Sequence, residues 1–297
     1  MAGQISAVLG SPEPAAHSRV RLLANGLAIV RLCGSWGQRL LMLLWLIRYS
    51  VLRLLPRSGH RTAITTARYN GLQMTLDWHA SEHIPLREVL ARGEYWPVAE
   101  WLPLPGDTVV DVGANAGVFT LATARLVGPE GRVIAIEPNP VVLGRLTANV
   151  KENGFEDRVT ILPIAIADRT ARGLVVDENG NSTVARVQVL TGADCVSSET
   201  VGVRTLDGAL EDLGVAHVDL LKIDVEGLER CVMTGAARTL AHCKRVVVEI
   251  GDMADVPIIQ SLCVKAGLSE VTSRQAGPDS GATLLFAHRA NPDPWPQ

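Results

Sequence analysis

The chain has 297 residues, of which 47% are hydrophobic and 20% are charged, so it can bury the core of a globular enzyme. Its five cysteines are scattered and contain no C-x-x-C pair. This spacing argues against a disulfide framework or a zinc site, and it predicts a reducing, cytoplasmic compartment.

The first 76 residues differ in charge from the rest of the chain. They carry nine arginines against one acid, Glu13, whereas the remainder has a net charge of −11. The most apolar run, residues 40–47, is far shorter than the roughly 20 residues that span a bilayer. We predict a basic, apolar helical extension over residues 1–80.

Three interpretations of this extension are open. It packs on the downstream domain or on a second subunit, or residues 20–60 make peripheral contact with an anionic membrane surface. The third interpretation is an organellar transit peptide, which is also rich in arginine and poor in acids. The sequence leaves the oligomeric state open.

His79, Glu82 and His83 match the H-x-x-E-H pattern of one class of metalloprotease. A zinc site of this kind needs both histidines on one helix, and Pro85 would cut that helix short. We therefore assign no metal ligand to these residues and expect no protease chemistry.

Downstream of a turn signal at residues 103–107, apolar runs alternate with amphipathic segments, which is typical of an α/β domain with a parallel sheet. The predicted strands are 108–112, 132–137, 158–163, 218–224, 245–250, 268–273 and 282–288. The predicted helices are part of 84–102, then 117–127, 140–153, 206–213, 227–241 and 254–266. Residues 173–204 interrupt the alternation, and their Asn179-Gly180 step favours a hairpin-like insert.

A glycine-rich turn with the spacing Asp111, Gly113, Asn115, Gly117 follows the first of these strands. Glycine has no Cβ and lets a ligand approach the backbone closely. The second strand ends at Glu137, where a carboxylate can accept hydrogen bonds from both hydroxyls of a ribose. Asn115 stands where a dinucleotide fingerprint has a glycine, and its side chain would crowd a pyrophosphate. The combination resembles the S-adenosylmethionine pocket of class I methyltransferases.

Asp224 and Glu226 stand at the end of the strand predicted over 218–224. Two positions apart in an extended chain, the two carboxylates would point to the same side. Such a pair can hold a cationic ligand, orient a hydroxyl, take a proton or bind a metal.

Four separated motifs, in this order and spacing, resemble the FkbM family of methyltransferases. They are residues 111–117, 137–139, 205–207 and 221–227. Residues 93–95 and 246–250 also resemble the family, and the similarity covers roughly 90–290. The family usually has a glutamate after its Gly-x-Tyr element, where this chain has Trp96 and Pro97. This departure predicts a roof shaped for a different acceptor.

The resemblance implies an α/β, Rossmann-like class I methyltransferase domain over residues 81–297. Its sheet would have seven mostly parallel strands in the order 3-2-1-4-5-7-6, with the seventh antiparallel. The implied parts are a cofactor half at 107–170, the insert at 173–204 and an acceptor-side half at 205–290.

The resemblance also implies S-adenosyl-L-methionine as the cofactor and a set of residues that hold it. These are Asp111, Gly113, Asn115, Gly117, Glu137, Pro138, Ala165, Asp168 and Asp224. In this set Glu137 binds the ribose, Pro138 and Ala165 flank the adenine, and Asp224 lies beside the sulfonium. The candidate catalytic bases, in order of preference, are Glu226, Glu249 and Asp224.

The implied reaction is O-methylation of a hydroxyl on a sugar, glycolipid or polyketide-type natural product. We therefore expect a small-molecule, glycan or glycolipid acceptor and no nucleic acid. Two alternatives stay open at this point. One is another enzyme on the same pocket, an aminopropyl transferase or an NAD-dependent oxidoreductase, and the other is a non-catalytic scaffold of the same fold at a membrane.

Overall fold

A computed structural model of the chain describes residues 26–52, 63–176, 186–190, 200–277 and 281–290. The strands are β1 (Ile64–Tyr69), β2 (Leu72–Asp77), β3 (Thr108–Val112), β4 (Arg132–Ile136), β5 (Val159–Leu162), β6 (Ile164–Ile166), β7 (Ala171–Val176), β8 (Arg186–Val189), β9 (Thr200–Arg204), β10 (Val218–Ile223), β11 (Cys243–Ile250), β12 (Glu270–Gln275) and β13 (Thr283–His288). The α-helices are α1 (Trp36–Leu52), α2 (Val118–Val127), α3 (Pro140–Glu152), α4 (Leu206–Asp212), α5 (Glu229–Thr234), α6 (Ala237–Ala241) and α7 (Val256–Lys265). A π-helix covers Leu86–Ala91, and 3-10 turns cover Ala99–Trp101 and Met253–Asp255.

The central sheet has seven strands in the order β12-β13-β11-β10-β3-β4-β5. All neighbours are parallel except β13, which runs antiparallel to both β11 and β12. Numbered along the chain, these strands give the order 3-2-1-4-5-7-6, so the predicted topology is confirmed. Each of the seven predicted strands is present, with its ends moved by no more than two residues.

Helices cover both faces of this sheet, because side chains alternate between the two faces along each strand. In β3, Val109 belongs to the core under α2 and α3, while Val110 belongs to the core under α4 to α7. The strands therefore appear in the sequence as continuous apolar runs, which is why their positions could be predicted.

One predicted helix, 227–241, is two helices in the structure. The chain bends between α5 and α6 at Gly235. This glycine packs so closely on the loop after β6 that a Cβ would overlap the carbonyl oxygen of Ala167. Asp207 then starts α6 by accepting hydrogen bonds from the backbone N–H groups of Arg238 and Thr239.

The prediction of helix up to residue 80 is wrong for residues 64–77, where β1 and β2 form an antiparallel hairpin. Asn70 and Gly71 form its turn with φ angles of 48° and 83°, as a two-residue hairpin turn requires. The Asn-Gly step was a usable signal that the neighbouring arginine- and leucine-rich pattern obscured.

Two asparagines of α3 attach this hairpin to the α/β domain. Asn149, which is buried, accepts from the N–H of Thr75 at 2.7 Å and donates to its carbonyl oxygen at 3.1 Å. Asn153 makes the same pair of hydrogen bonds with Gln73, at 2.9 and 2.7 Å. Each side-chain amide thus satisfies backbone groups that an edge strand would otherwise leave unpaired.

One side of α1 packs against the hairpin region and the other side is exposed. Met42 is buried, and the Trp45 ring lies 4.5 Å from the ring of Trp78, just after β2. Exposed apolar side chains on α1 are Trp36, Leu40, Leu41, Leu43, Leu44 and Ile47. Within the described residues, no helix is both long and apolar enough to cross a membrane.

A third sheet has four strands in the order β6-β9-β7-β8, in which β6 precedes the predicted insert and β7, β8 and β9 belong to the insert region. Strands β7 and β8 pair antiparallel, as expected for a hairpin-like excursion. The Asn179-Gly180 step on which this expectation rested lies outside the described residues.

Candidate active site

A cavity of about 300 Å³ lies at the carboxyl ends of β3, β4, β10 and β11. This is the edge where open parallel sheets bind ligands. The structure brings most of the predicted site residues to its wall, namely Gly113, Asn115, Glu137, Pro138, Ala165, Asp224, Glu226 and Glu249. Asp111, Gly117 and Asp168 do not line the cavity.

Lys222, which lines the cavity, and Asp111, which does not, are neighbours across β10 and β3, and both are buried. The Lys222 Nζ atom lies 3.0 Å from Asp111 Oδ1 and donates a hydrogen bond of 2.8 Å to the carbonyl oxygen of Gly113. It also lies 3.5 Å from Asp224 Oδ2. Burial alone would lower the pKa of Lys222, but the carboxylates of Asp111 and Asp224 outweigh it and hold the pKa above its ordinary value.

This arrangement corrects the expected role of Asp111. Asp111 was predicted to hold the cofactor, but its carboxylate is fully buried and occupied by Lys222 and by the Thr120 hydroxyl, which donates at 2.6 Å. Asp111 therefore acts on the cavity through Lys222.

The two glycines of the turn are required by the protein's own packing. Gly113 has a φ of +80°, and a Cβ there would overlap the backbone carbonyl oxygen of Asp224. Gly117 has a φ of +92°, and a Cβ would lie 2.6 Å from Leu146 Cδ1 on α3. The prediction was that Gly113 lets a ligand approach the backbone. In the structure, the group that approaches Gly113 is the backbone of Asp224, after the end of β10.

Glu137 lies at the end of β4 with 8% of its surface exposed. Its carboxylate accepts hydrogen bonds from the backbone N–H groups of Asn115 at 2.8 Å and Asn139 at 2.9 Å. Burial raises the pKa of Glu137 to about 7, although these two N–H groups favour the ionised form. The carboxylate thus joins the glycine-rich turn to the end of the neighbouring strand.

Tyr95, Glu249, Asp224 and Glu88 form the opposite end of the cavity. The buried Tyr95 hydroxyl donates to Glu249 Oε2 at 2.7 Å and lies 3.3 Å from Asp224 Oδ2. Burial, and next the charge of Asp224, raise the pKa of Glu249 to about 8 and that of Glu88 to about 7. Carboxyl groups with these pKa values can exchange protons near neutral pH.

Glu226 also lines the cavity, but for a different reason from the one predicted. Strand β10 ends at Ile223, and Glu226 has a φ of +40°, so the extended strand does not continue through Glu226. A non-glycine residue in this left-handed region is strained, and such strain is concentrated at functional sites. Burial, followed by the charge of Asp224, raises the pKa of Glu226 to about 7.

Three residues at this site were missing from the predicted set. Tyr95 belongs to the Gly-x-Tyr element that was noted without a role, and Lys222 lies inside the motif that ends in Asp224. Glu88 lies on the π-helix, a conformation often found at functional sites but one that the sequence pattern did not reveal. Trp96, which replaces the usual glutamate, stacks on Phe119 of the cavity wall with the ring centroids 5.6 Å apart.

Asp168 and the H-x-x-E-H residues have partners away from the cavity. Asp168 pairs with Arg169 at 3.2 Å. Residues 78–83 form turns and no helix, and Glu82 binds Arg145 with an Nε to Oε1 distance of 2.8 Å. The His83 ring stacks on Trp78 at 4.5 Å. In the parts of the chain that the structure describes, no group of three or more histidine, cysteine or acidic side chains is arranged to hold a metal ion.

Comparison with known proteins identifies the domain that forms this site. Residues 111–263, more than half of the chain, match the family described as the methyltransferase FkbM domain. The 31-O-demethyl-FK506 methyltransferase FkbM of Streptomyces tacrolimicus is 32% identical over 175 residues, which cover 50% of this chain and 67% of that protein. The hexuronic acid methyltransferase AglP of Haloferax volcanii is 30% identical over 177 residues, which cover 58% of this chain and 68% of that protein.

A third relative is much longer than this chain. The AMB antimetabolite synthetase AmbE of Pseudomonas aeruginosa is 28% identical over 234 residues, which cover 67% of this chain but only 10% of that protein.

Together with the strand order and the cavity at the strand ends, the family match gives the identity of the domain. The chain belongs to the FkbM family of methyltransferases.

Proposed function

We propose that the chain is an O-methyltransferase that acts on a hydroxyl of a sugar, glycolipid or polyketide-type molecule. The observation that carries this proposal is the group of carboxyl side chains at one end of the cavity, Glu88, Glu226 and Glu249, whose pKa values lie near neutrality. A hydroxyl acceptor benefits from such a base. The names of two relatives support the acceptor class, one for a derivative of FK506 and the other for a hexuronic acid.

The other end of the cavity suits S-adenosylmethionine. We assign the ribose to Glu137, the methionine portion to the backbone of Gly113 and Asn115, and the adenine to a slot between Pro138 and Ala165. Asp224 suits a position beside a cation, since it is only partly neutralised by Lys222. When bound, S-adenosylmethionine supplies an electrophilic methyl group on a sulfonium.

The chain's own residues then have two tasks. The rigid strand ends align the acceptor with the methyl donor, which is the main source of rate in a displacement reaction. A carboxylate accepts the proton of the acceptor hydroxyl. Glu226, Glu249 and Asp224 are the candidates, and the geometry favours Glu249 because a tyrosine hydroxyl orients its carboxylate.

The two alternative functions receive less support. An NAD-dependent oxidoreductase needs room for a pyrophosphate at the glycine turn, where Asn115 stands at a φ of +49°. A non-catalytic scaffold gives no reason to keep three buried or half-buried glutamates with raised pKa values around one cavity.

The ribose assignment predicts that Glu137→Gln weakens binding of S-adenosylmethionine by about 1–3 kcal/mol, because a charged acceptor of hydrogen bonds is lost. Isothermal titration calorimetry measures this change in affinity. Asp157→Asn, an exposed aspartate before β5, is the matched control and should bind like the parent. Parental affinity in a folded Glu137→Gln protein would reject the assignment.

The proposed reaction predicts an alkali-stable methyl ether as product. Labelled S-adenosylmethionine and oligosaccharide or glycolipid extracts provide the assay, and mass spectrometry locates the methyl group. Label recovered only as a base-labile ester or on nitrogen would contradict O-methylation of a hydroxyl.

With an acceptor in hand, Glu249→Gln should lower turnover by roughly 10²–10⁴-fold while cofactor affinity stays near the parental value. Glu226→Gln is the matched comparison, since it removes a second cavity carboxylate with a raised pKa, and it should cost less than about tenfold. A larger loss for Glu226→Gln than for Glu249→Gln would reverse the assignment of the base.

We also propose peripheral contact between α1 and an anionic membrane surface. Trp36, Leu40, Leu44 and Ile47 are spaced so that they share one side of α1, and each is more than half exposed. Helix α1 contains Arg39 and Arg48 but no acid in its sequence. An apolar face with arginines and no carboxylates is complementary to anionic lipid.

This contact can be tested in the full chain. Deleting α1 would also remove the buried Met42 and the contact between Trp45 and Trp78. Co-sedimentation with vesicles of phosphatidylglycerol and phosphatidylcholine should be lost in the double variant Leu40→Gln and Leu44→Gln, and reduced for the parent at high salt. Val264→Gln, which changes a comparably exposed residue on α7, should sediment like the parent. Equal partitioning of all three proteins would reject lipid contact. If the parent is a dimer and the double variant is a monomer, the exposed face of α1 binds a second subunit instead.

A further inference from the structure

Resting on the proposed function, we infer that Tyr95 is a positioning residue for methyl transfer. Its hydroxyl orients the Glu249 carboxylate toward the acceptor end of the cavity and favours the ionised form of that carboxylate. Glu249 then takes the proton of the acceptor, with the hydroxyl O–H bond breaking as a carboxyl O–H bond forms.

Tyr95 is held rigidly enough to orient a partner. Its ring is 3% exposed and meets Phe119 edge-on, with the centroids 5.5 Å apart. The preceding residue, Glu94, is fixed by its N–H, which donates to the carbonyl oxygen of Glu88 at 2.8 Å, and by Arg274, which donates to its carbonyl oxygen. The hydroxyl is therefore placed by the packing of its ring on Phe119 and by the two hydrogen bonds that hold the backbone of Glu94.

The single proton of Tyr95 is shared unequally between two carboxylates. The distance to Glu249 is 2.7 Å and that to Asp224 is 3.3 Å, so the stronger hydrogen bond goes to Glu249. Asp224 has a different counter-charge, since Lys222 Nζ lies 3.5 Å away. Lys222 therefore offsets part of the charge of Asp224, and the shorter hydrogen bond from Tyr95 stabilises Glu249.

The groups that face Glu249 determine whether its pKa is raised or lowered. Burial raises the pKa of Glu249, and the charges of Asp224 and Glu88 raise it further. The hydrogen bond from Tyr95 and the charge of Lys222 oppose this rise. Removing the hydroxyl must therefore raise the pKa of Glu249, so that less of the base is ionised at any pH near neutrality.

The pH dependence of turnover tests this role in the full chain. A base must be ionised, so turnover of the parent should fall as the pH drops through the pKa of Glu249. Tyr95→Phe should move this acidic limb to higher pH by about one unit, the effect of one hydrogen bond to a charged group. Turnover at pH 7 should fall roughly tenfold and recover toward the parental value at alkaline pH, while cofactor affinity changes less than about twofold.

Tyr69→Phe is the matched control, because Tyr69 is equally buried but belongs to β1, away from the cavity. It should leave the pH profile unchanged. A Tyr95→Phe profile that is lowered equally at every pH, or one that matches the parent, would overturn the inference.

A second measurement separates this inference from the proposed function. Carbon-13 NMR of carboxyl-labelled glutamate, with the Glu249 signal assigned by its loss in Glu249→Gln, follows the titration of Glu249 without any acceptor. An upward shift of that titration in Tyr95→Phe supports the inference even if no hydroxyl acceptor is methylated. An unchanged titration overturns it even if the chain is shown to be an O-methyltransferase.

Discussion

The ion pair between Lys222 and Asp111 joins β10 to β3 at the floor of the cavity, which Lys222 lines. Removing two charges from water is costly, and the cost is offset only when each charge has a close partner and further hydrogen bonds. Here the lysine also donates to Gly113, and Thr120 donates to the aspartate. The interaction therefore fixes where both strands end, and with them the glycine turn and the carboxylate of Asp224.

From this floor the cavity separates into two chemically different ends. Glu137, held by two backbone N–H groups, stands at the end of β4 and is preorganised to accept hydrogen bonds from a ligand. At the ends of β10 and β11, Tyr95 connects Glu249 with Asp224, and the π-helix adds Glu88. A cationic methyl donor suits the boundary between these ends, because Asp224 is the carboxylate that they share.

The sequence predicted the strand order and the cavity wall well, because the strands are buried on both faces and glycine and acid residues follow their ends. It did not predict that Asp111 faces Lys222, since that contact depends on the register of two strands 111 residues apart in number. The hydrogen bond between Tyr95 and Glu249 likewise joins distant segments. The hairpin at Asn70-Gly71 was missed for a local reason, because the arginine- and leucine-rich segment before it favoured helix.

The role of the ion pair is tested most directly by the double variant Lys222→Met and Asp111→Asn. The double variant removes the fully buried charge of Asp111 together with that of Lys222, and only the part-exposed Asp224 loses a counter-charge. Its free energy of unfolding should therefore recover most of the roughly 3–5 kcal/mol that Lys222→Met alone is expected to lose. The Gly113 carbonyl and Asp224 still lack their donor, so calorimetry should show S-adenosylmethionine binding at least about tenfold weaker than in the parent. A stably folded double variant with parental affinity would contradict the claim that this ion pair organises the cofactor site.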